Sequence, residues 1–205
     1  MKIMKAIIII LAGYFTTVAF GESNLYVLMD KMRIKDGKVG EYLAVEKAWS
    51  NYHQTLIRER KIESWSLWRA SHQSYEYVTL KVLRIGAGED ADLDGILREL
   101  YEQERIGSFQ NKHRVDAAAV RDIVETALWR LEAGTTGGKG WGKLLSISDS
   151  LTIKWDGMNP AAGSEEKYLS IESGIFRDAH QLLVNEKKSL SNWSLLKLAA
   201  VSGSE

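Results

Sequence analysis

Four residues of one predicted helix have side chains suited to acid–base chemistry or to binding an aromatic ligand. At about 100° per residue, Tyr42, Glu46, Trp49 and His53 fall on one narrow stripe with apolar neighbours. A carboxyl and an imidazole on such a face have pKa values that burial can tune for proton transfer. Glu46 and His53 stand about 10 Å apart along the helix axis, so they could flank one ligand but not bond each other. The simpler interpretation is a helix packed on its sheet, with both polar groups satisfied by neighbouring strands or turns.

Two residues on predicted strands complete the candidate site. Asp30 is an acidic residue within an apolar strand, where burial is costly unless the carboxylate is hydrogen-bonded. It either faces a cavity beside the sheet or accepts bonds from backbone at the strand edge. Trp65 either anchors the core or forms an aromatic wall for a flat ligand. The candidate pocket residues are therefore Asp30, Tyr42, Glu46, Trp49, His53 and Trp65.

The stretch that carries these residues occurs twice. YLAVEKAWSNYHQ, residues 42–54, is matched by YLSIESGIFRDAHQ, residues 168–181, and the match extends back without a gap over 25–42 and 151–168. Asp-x-Met, a glycine and Trp-Ser-Leu keep their order in both stretches. This pattern indicates an internal duplication.

The duplication does not repeat the whole stripe at the same spacing. Tyr168 and Glu172 keep their separation, but one extra residue precedes His180. On an unbroken α-helix this residue turns His180 about 100° off the stripe, and Ile175 takes the place of Trp49. A duplicated catalytic pair is therefore not expected.

Hydrophobic patterning predicts an α+β fold for the first part of the chain. The predicted elements are strands at 25–34, 64–70, 75–83 and 128–133, a helix at 41–61, and either one interrupted helix or two short helices at 91–104 and 115–127. Their order, βαββαβ, is that of a ferredoxin-like sandwich. We expect this domain at 24–133, a Gly-rich linker at 134–150, and a partial second copy, βαβ, at 151–205.

The N-terminus predicts export. Lys2 and Lys5 precede an apolar run from Ala6 to Phe15, followed by small and polar residues through Gly21, which is the order of a secretory signal peptide. The run is shorter than the roughly 20 residues that cross a bilayer, which favours cleavage over an uncleaved anchor. We therefore predict a signal peptide at 1–21, a mature protein without a membrane segment, and a periplasmic or secreted location.

Composition excludes several classes of function. Lys plus Arg (27) equals Asp plus Glu (27), so charge gives no reason to expect nucleic acid or an anionic membrane as a partner. The absence of cysteine excludes disulfides, thiolate nucleophiles and zinc–thiolate sites. The four histidines show no metal-ligand spacing, so no metal site is predicted.

The pattern YVLMDKMRIKDGKVGEYLAVE…HQ…SWSLW…YEYVTLKV resembles the dimeric α/β-barrel superfamily, which includes antibiotic-biosynthesis-monooxygenase-like and NIPSNAP-like domains. The resemblance covers residues 24–133, and 151–200 in part. It implies two sheets packed face to face, from two chains or from fused halves, and tandem copies imply the fused form. It allows cofactor-independent oxygenation, and it is also compatible with haem handling, although no residue here requires a cofactor.

The second copy ends after its second strand, and this leaves three explanations open. It has no counterpart of residues 75–83 or of the elements that follow, so its two strands would lack a neighbour between them. Either the gene is truncated, another chain donates the strand, or residues 141–148 fill the gap.

Two functions fit these observations. The first is an exported protein of the dimeric α/β-barrel type that binds a small apolar or aromatic molecule, with oxygenase-like activity as its enzymatic form. The second is a non-catalytic interaction module that pairs through its sheet face. The stripe of Tyr42, Glu46, Trp49 and His53 favours the first, and the half-sized second copy favours the second. A homo-oligomer is expected in both cases.

Overall fold

The computed structural model describes residues 25–72, 74–85, 95, 98, 117–134, 154–186 and 193–202. The predicted signal peptide at 1–21 and nearly all of the predicted linker at 134–150 lie outside these residues. Of the helix predicted at 91–104, Gly95 and Arg98 are described, and both are helical.

The described chain is α+β, as the sequence predicts. Its elements are, in order, β1 (Leu25–Ile34), α1 (Val39–Arg58), β2 (Ser64–Arg69), β3 (Tyr77–Arg84), α2 (Ala117–Val120), β4 (Arg121–Gly134), α3 (Glu165–Ile171), a π-helical turn (Glu172–Phe176), α4 (Arg177–Asn185) and β5 (Ser194–Ser202). The strands predicted at 25–34, 64–70 and 75–83 are confirmed as β1, β2 and β3.

All five strands belong to one antiparallel sheet, in the order β2-β3-β1-β4-β5. Strand β1 lies in the middle, paired with β3 along one edge and with β4 along the other. Strand β5 pairs with β4, so within the described residues it extends the first sheet instead of starting a second one. The physical reason is that the outer edge of β4 presents backbone donors and acceptors, which β5 satisfies.

The region predicted as a helix at 115–127 is mostly strand. Helix α2 covers Ala117–Val120, and β4 then runs for 14 residues from Arg121. The prediction was wrong because it weighed helical periodicity over residue type. Ile123, Val124 and Thr126 are β-branched and suit a pleated surface, where the pairing with β1 fixes them.

The strand expected at the start of the second copy is not found in its described part. Residues 154–160 form neither helix nor strand. Asp156, Gly157, Asn159 and Pro160 all favour turns, and proline lacks the backbone donor that a sheet requires.

Both long helical segments begin with the same turn. Gly37 precedes α1 with φ +73°, and Gly163 precedes α3 with φ +76°, a left-handed conformation that glycine adopts without steric cost. The residues that follow, Lys38 and Ser164, have nearly equal backbone angles, with ψ at 7° in both. The matched sequences therefore enter their helices through matching backbone.

Helix α1 packs on one face of the sheet, and its contacts form most of the core. One cluster on this face comprises Tyr26, Leu28, Leu56, Ile62, Trp65, Leu83, Ile85 and Leu128, and an adjoining one comprises Met32, Ile34, Tyr42, Val45 and Val120. Because side chains alternate along a strand, the opposite face carries a separate cluster of Val27, Met29, Leu80 and Val82. Both faces of the central strand are thus buried.

We expect Leu28→Ala to lower the free energy of unfolding by about 2–5 kcal/mol, because the side chain is fully buried and its loss leaves a cavity. Leu43→Ala, on the exposed side of α1, is the matched control and should change it by less than about 0.5 kcal/mol. Urea denaturation followed by circular dichroism measures both, and equal losses would contradict the packing of β1 described above.

Candidate functional site

The structure brings the six predicted pocket residues to one side of the sheet. Tyr42, Glu46, Trp49 and His53 lie on the face of α1 that packs against the strands. Trp65 on β2 belongs to the same packing layer. Asp30 points to this side as well, because it alternates in phase with Leu28.

Glu46 is a buried carboxyl that forms an ion pair with Arg121. Its side chain is 3% exposed, and its Oε1 lies 3.7 Å from Nη1 of Arg121 at the start of β4. The hydroxyl of Tyr42 interacts with the Glu46 carboxyl and also lies 3.4 Å from Sδ of Met32, which Arg121 Nη1 contacts too. Acid, phenol and guanidinium therefore meet between helix and sheet.

Burial dominates the electrostatics of this group. It raises the pKa of the Glu46 carboxyl, although the Arg121 guanidinium and the hydrogen bond from Tyr42 oppose the shift. The negative charge of Asp30 raises the pKa of Glu46 further, and Lys81 lowers it. Burial and the nearby Glu46 also raise the pKa of the Tyr42 hydroxyl, which stays protonated. A carboxyl with a raised pKa stays protonated to a higher pH than an exposed one and is a better candidate for a general acid.

Two polar atoms at the centre of the site are buried without a hydrogen bond. They are Oε1 of Glu46, an acceptor when ionised, and Nε of Arg121, a donor. Most buried polar atoms in proteins are hydrogen-bonded, so such a pair needs an explanation. A ligand hydroxyl that donates to one atom and accepts from the other would satisfy both.

An aromatic stack adjoins this polar pair. The imidazole of His53 lies between two indoles, with centroids 5.8 Å from Trp49 and 5.0 Å from Trp65. The ring planes are inclined by 29° and 13°, so both contacts are stacked. Trp49 stands three residues after Glu46 on the same helix, which puts the aromatic and acidic groups side by side. Glu46 and His53 are separated by two helical turns, as predicted.

Asp30 accepts hydrogen bonds from side chains on both neighbouring strands. Its Oδ1 lies 2.6 Å from the hydroxyl of Thr126 on β4, and its Oδ2 lies 3.5 Å from the hydroxyl of Thr79 on β3. Both threonines face Asp30 directly in the strand register. The carboxylate is therefore stabilised by two hydroxyls within the sheet, a third arrangement beside the two that the sequence suggested.

Two cations of the site were not predicted. Arg121 was not predicted as a site residue because its segment was interpreted as a helix. A helix there would not pair with β1, whereas the observed strand β4 does. Lys81 is buried at 5% exposure, and the sequence did hold a signal for it. A lysine within the apolar strand YVTLKVL, in phase with Thr79, indicates a buried cation that needs an acidic partner.

A second segment, residues 168–186 together with Trp193, repeats much of this geometry, which the sequence did not lead us to expect. The π-helical turn at Glu172–Phe176 contains the extra residue. Because a π-turn closes one residue later than an α-turn, it takes up the insertion and keeps the residues on either side in phase. Counted back from the histidine, the residue equivalent to Trp49 is therefore Phe176 and not Ile175, because Phe176 precedes His180 by four residues as Trp49 precedes His53. The assumption of an unbroken α-helix was wrong.

No described helix is long and apolar enough to cross a membrane. Within the same described ranges, no three His, Cys, Asp or Glu residues gather as ligands for a metal ion. Comparisons of the chain with protein-family models, with curated proteins and with solved structures found no match.

We expect Asp30→Ala to lower the free energy of unfolding by about 1–3 kcal/mol, because it leaves the hydroxyls of Thr126 and Thr79 without their acceptor. Asp30→Asn keeps an acceptor oxygen and should cost about 1 kcal/mol less than the alanine variant. Chemical denaturation at pH 7 distinguishes the two. Equal losses would show that the acceptor oxygen contributes nothing.

We expect Glu46→Gln to alter how stability depends on pH. The folded protein holds the Glu46 proton more tightly than the unfolded chain, so the free energy of unfolding falls as pH rises from the ordinary value of 4.5 through the raised pKa of the folded state. Gln has no proton to lose, so the variant should gain stability relative to the original protein over this range.

Urea denaturation between pH 4.5 and pH 8 measures this difference, the lower limit being the ordinary pKa of the group. Glu41→Gln, which removes an exposed carboxylate from the same helix, is the matched control. A constant difference between the Glu46 variant and the original protein at all pH values would contradict the raised pKa.

Proposed function

We propose that this protein binds a small planar aromatic molecule between α1 and the sheet. The observation that carries the proposal is the pair of unsatisfied polar atoms, Glu46 Oε1 and Arg121 Nε, beside the stacked rings of Trp49, His53 and Trp65. Aromatic and apolar walls with a few convergent polar groups are the usual composition of a small-molecule site.

The ligand's polar group follows from the two atoms that would contact it. An acceptor and a donor side by side favour a group that both donates and accepts, such as a hydroxyl. The raised pKa of Glu46 also suits proton exchange with that hydroxyl. An oxygenase-like enzyme and a binding protein would both use these contacts, and the proposal includes either.

The architecture that we propose is a ferredoxin-like sandwich of the dimeric α/β-barrel type, followed by a partial second copy. In support, β3 lies between β1 and β2, β4 pairs with the other edge of β1, and α1 connects β1 to β2 across one face. The matching turns at Gly37 and Gly163 support the second copy. Export to the periplasm or the exterior remains part of the proposal, on the sequence of residues 1–21.

Titration of the full, 15N-labelled chain with 2-naphthol tests the binding site. The chain has seven tryptophans, whose indole signals can be assigned by single Trp→Phe substitutions. We expect saturable shifts of the Trp49 and Trp65 signals. Arg121→Met should weaken binding about tenfold, because it removes a charge-assisted hydrogen bond while keeping most of the side-chain volume.

Arg84→Met is the matched control, since Arg84 at the end of β3 is exposed and pairs with Glu63. It should leave the affinity unchanged. Circular dichroism checks that both variants fold, and Trp49→Phe gives a second, milder change at the site. Absence of saturable shifts at Trp49 and Trp65 would contradict the proposed site.

A specific observation also favours the second candidate, an interaction module. Large apolar side chains are exposed in the last part of the chain, among them Ile175 at 72%, Leu182 and Met158 at 63%, and Val201 at 58%. Exposed apolar groups of this number are typical of surfaces that pair with another protein. Sedimentation of the full chain and of an Ile175→Asp, Leu182→Asp double variant tests this. Association that the double variant abolishes would support the module.

A further inference from the structure

The second segment holds a smaller version of the first site. The hydroxyl of Tyr168 hydrogen-bonds the carboxylate of Glu172, as Tyr42 interacts with Glu46. The imidazole of His180 stacks on Trp193 with centroids 4.9 Å apart and an angle of 8°. The corresponding contact of His53 with Trp65 is 5.0 Å and 13°.

The π-helical turn preserves this arrangement and also orients its histidine. The carbonyl oxygen of Phe176, at the end of the turn, lies 2.7 Å from Nδ1 of His180. A proton on Nδ1 donates to this oxygen, which leaves Nε2 as an acceptor on the opposite edge of the ring. The ring of Phe176 itself is about half exposed, one helical turn from His180. Turns of this kind occur frequently at functional sites.

The two segments differ mainly in how far their equivalent side chains are exposed to solvent. Positions equivalent in sequence to Val45 and Leu56, which are 2% and 5% exposed, are Ile171 and Leu183, at 36% and 39%. Tyr168, Glu172, His180 and Trp193 are all half-buried, whereas Tyr42, Glu46, His53 and Trp65 are buried. In the first segment the strands β1 and β3 cover the helix face. The second segment has the same chemical groups within reach of solvent.

We propose that Tyr168, Glu172, His180 and Trp193 form a second binding site, open to solvent, for a planar aromatic ligand of the same class as the first. The inference rests on the proposed function for the nature of the ligand. The ring of the ligand lies against Phe176 and the His180–Trp193 stack, and its hydroxyl donates to the Glu172 carboxylate. Binding at this site is at least about tenfold weaker than at the first, because an open site removes less apolar surface from water.

The same titration of the full chain with 2-naphthol distinguishes the two sites by their tryptophans. We expect the Trp193 indole signal to shift with its own, weaker saturation curve, separate from that of Trp49 and Trp65. Trp193→Leu should remove the weaker event and leave the stronger one unchanged. Trp155→Leu, at a tryptophan whose ring contacts that of Trp129, is the matched control and should remove neither.

His180→Ala gives a second variant in case Trp193→Leu disturbs the start of β5. It should lower the affinity of the weaker binding event at least fivefold, without changing the affinity measured at Trp49. A single event at Trp49 that both variants leave intact overturns the second site and leaves the proposed function standing. An event at Trp193 alone supports the second site and overturns the first. Absence of any saturable shift overturns both sites. If Trp155→Leu and Trp193→Leu change the weaker binding event equally, that event is non-specific and the second site is overturned.

Discussion

The central position of β1 is the constraint from which the other features follow. It is hydrogen-bonded along both edges, and residues 26–29 are buried on both of its faces, so side chains in this part of the strand have little access to water. A polar residue in such a strand must find its partners within the protein. Asp30 finds them in two threonines that the antiparallel register puts directly opposite. The pairing of β4 with β1 also places Arg121, the first residue of β4, beside Glu46 of helix α1.

Helix α1 adds a buried acid, Glu46, to the face that already carries the partly buried Asp30. Glu46 and Asp30 are opposed by Arg121 and Lys81, yet burial still raises the pKa of Glu46. Two hydrogen-bonding positions remain unfilled between Glu46 and Arg121. Buried polar atoms without a hydrogen bond are rare in folded proteins and lower their stability. The proposed aromatic ligand would supply both hydrogen bonds and stack on the rings beside them.

The sequence predicted the parts of this arrangement that depend on local periodicity. The stripe of Tyr42, Glu46, Trp49 and His53 follows from helical spacing, and Asp30 stood out as an acid in an apolar strand. Arg121 was missed because the residues around it have both helical spacing and β-branched side chains, and only pairing with a strand 90 residues earlier decides between them. The pairing of β5 with β4 is equally non-local. The sequence does show one extra residue before His180 in the second matched segment. Whether this residue rotates His180 around the helix depends on the backbone of the π-turn, which the sequence does not reveal.

The addition of β5 to the edge of β4 has a consequence for how the molecule comes apart. The two sequence-related halves share one hydrogen-bonded sheet, so neither can lose its structure without exposing backbone groups of the other. Heating should therefore produce a single melting transition instead of one for each half. The first part of the chain and the segment near its C-terminus therefore form one cooperative folding unit, joined by the backbone hydrogen bonds between β4 and β5.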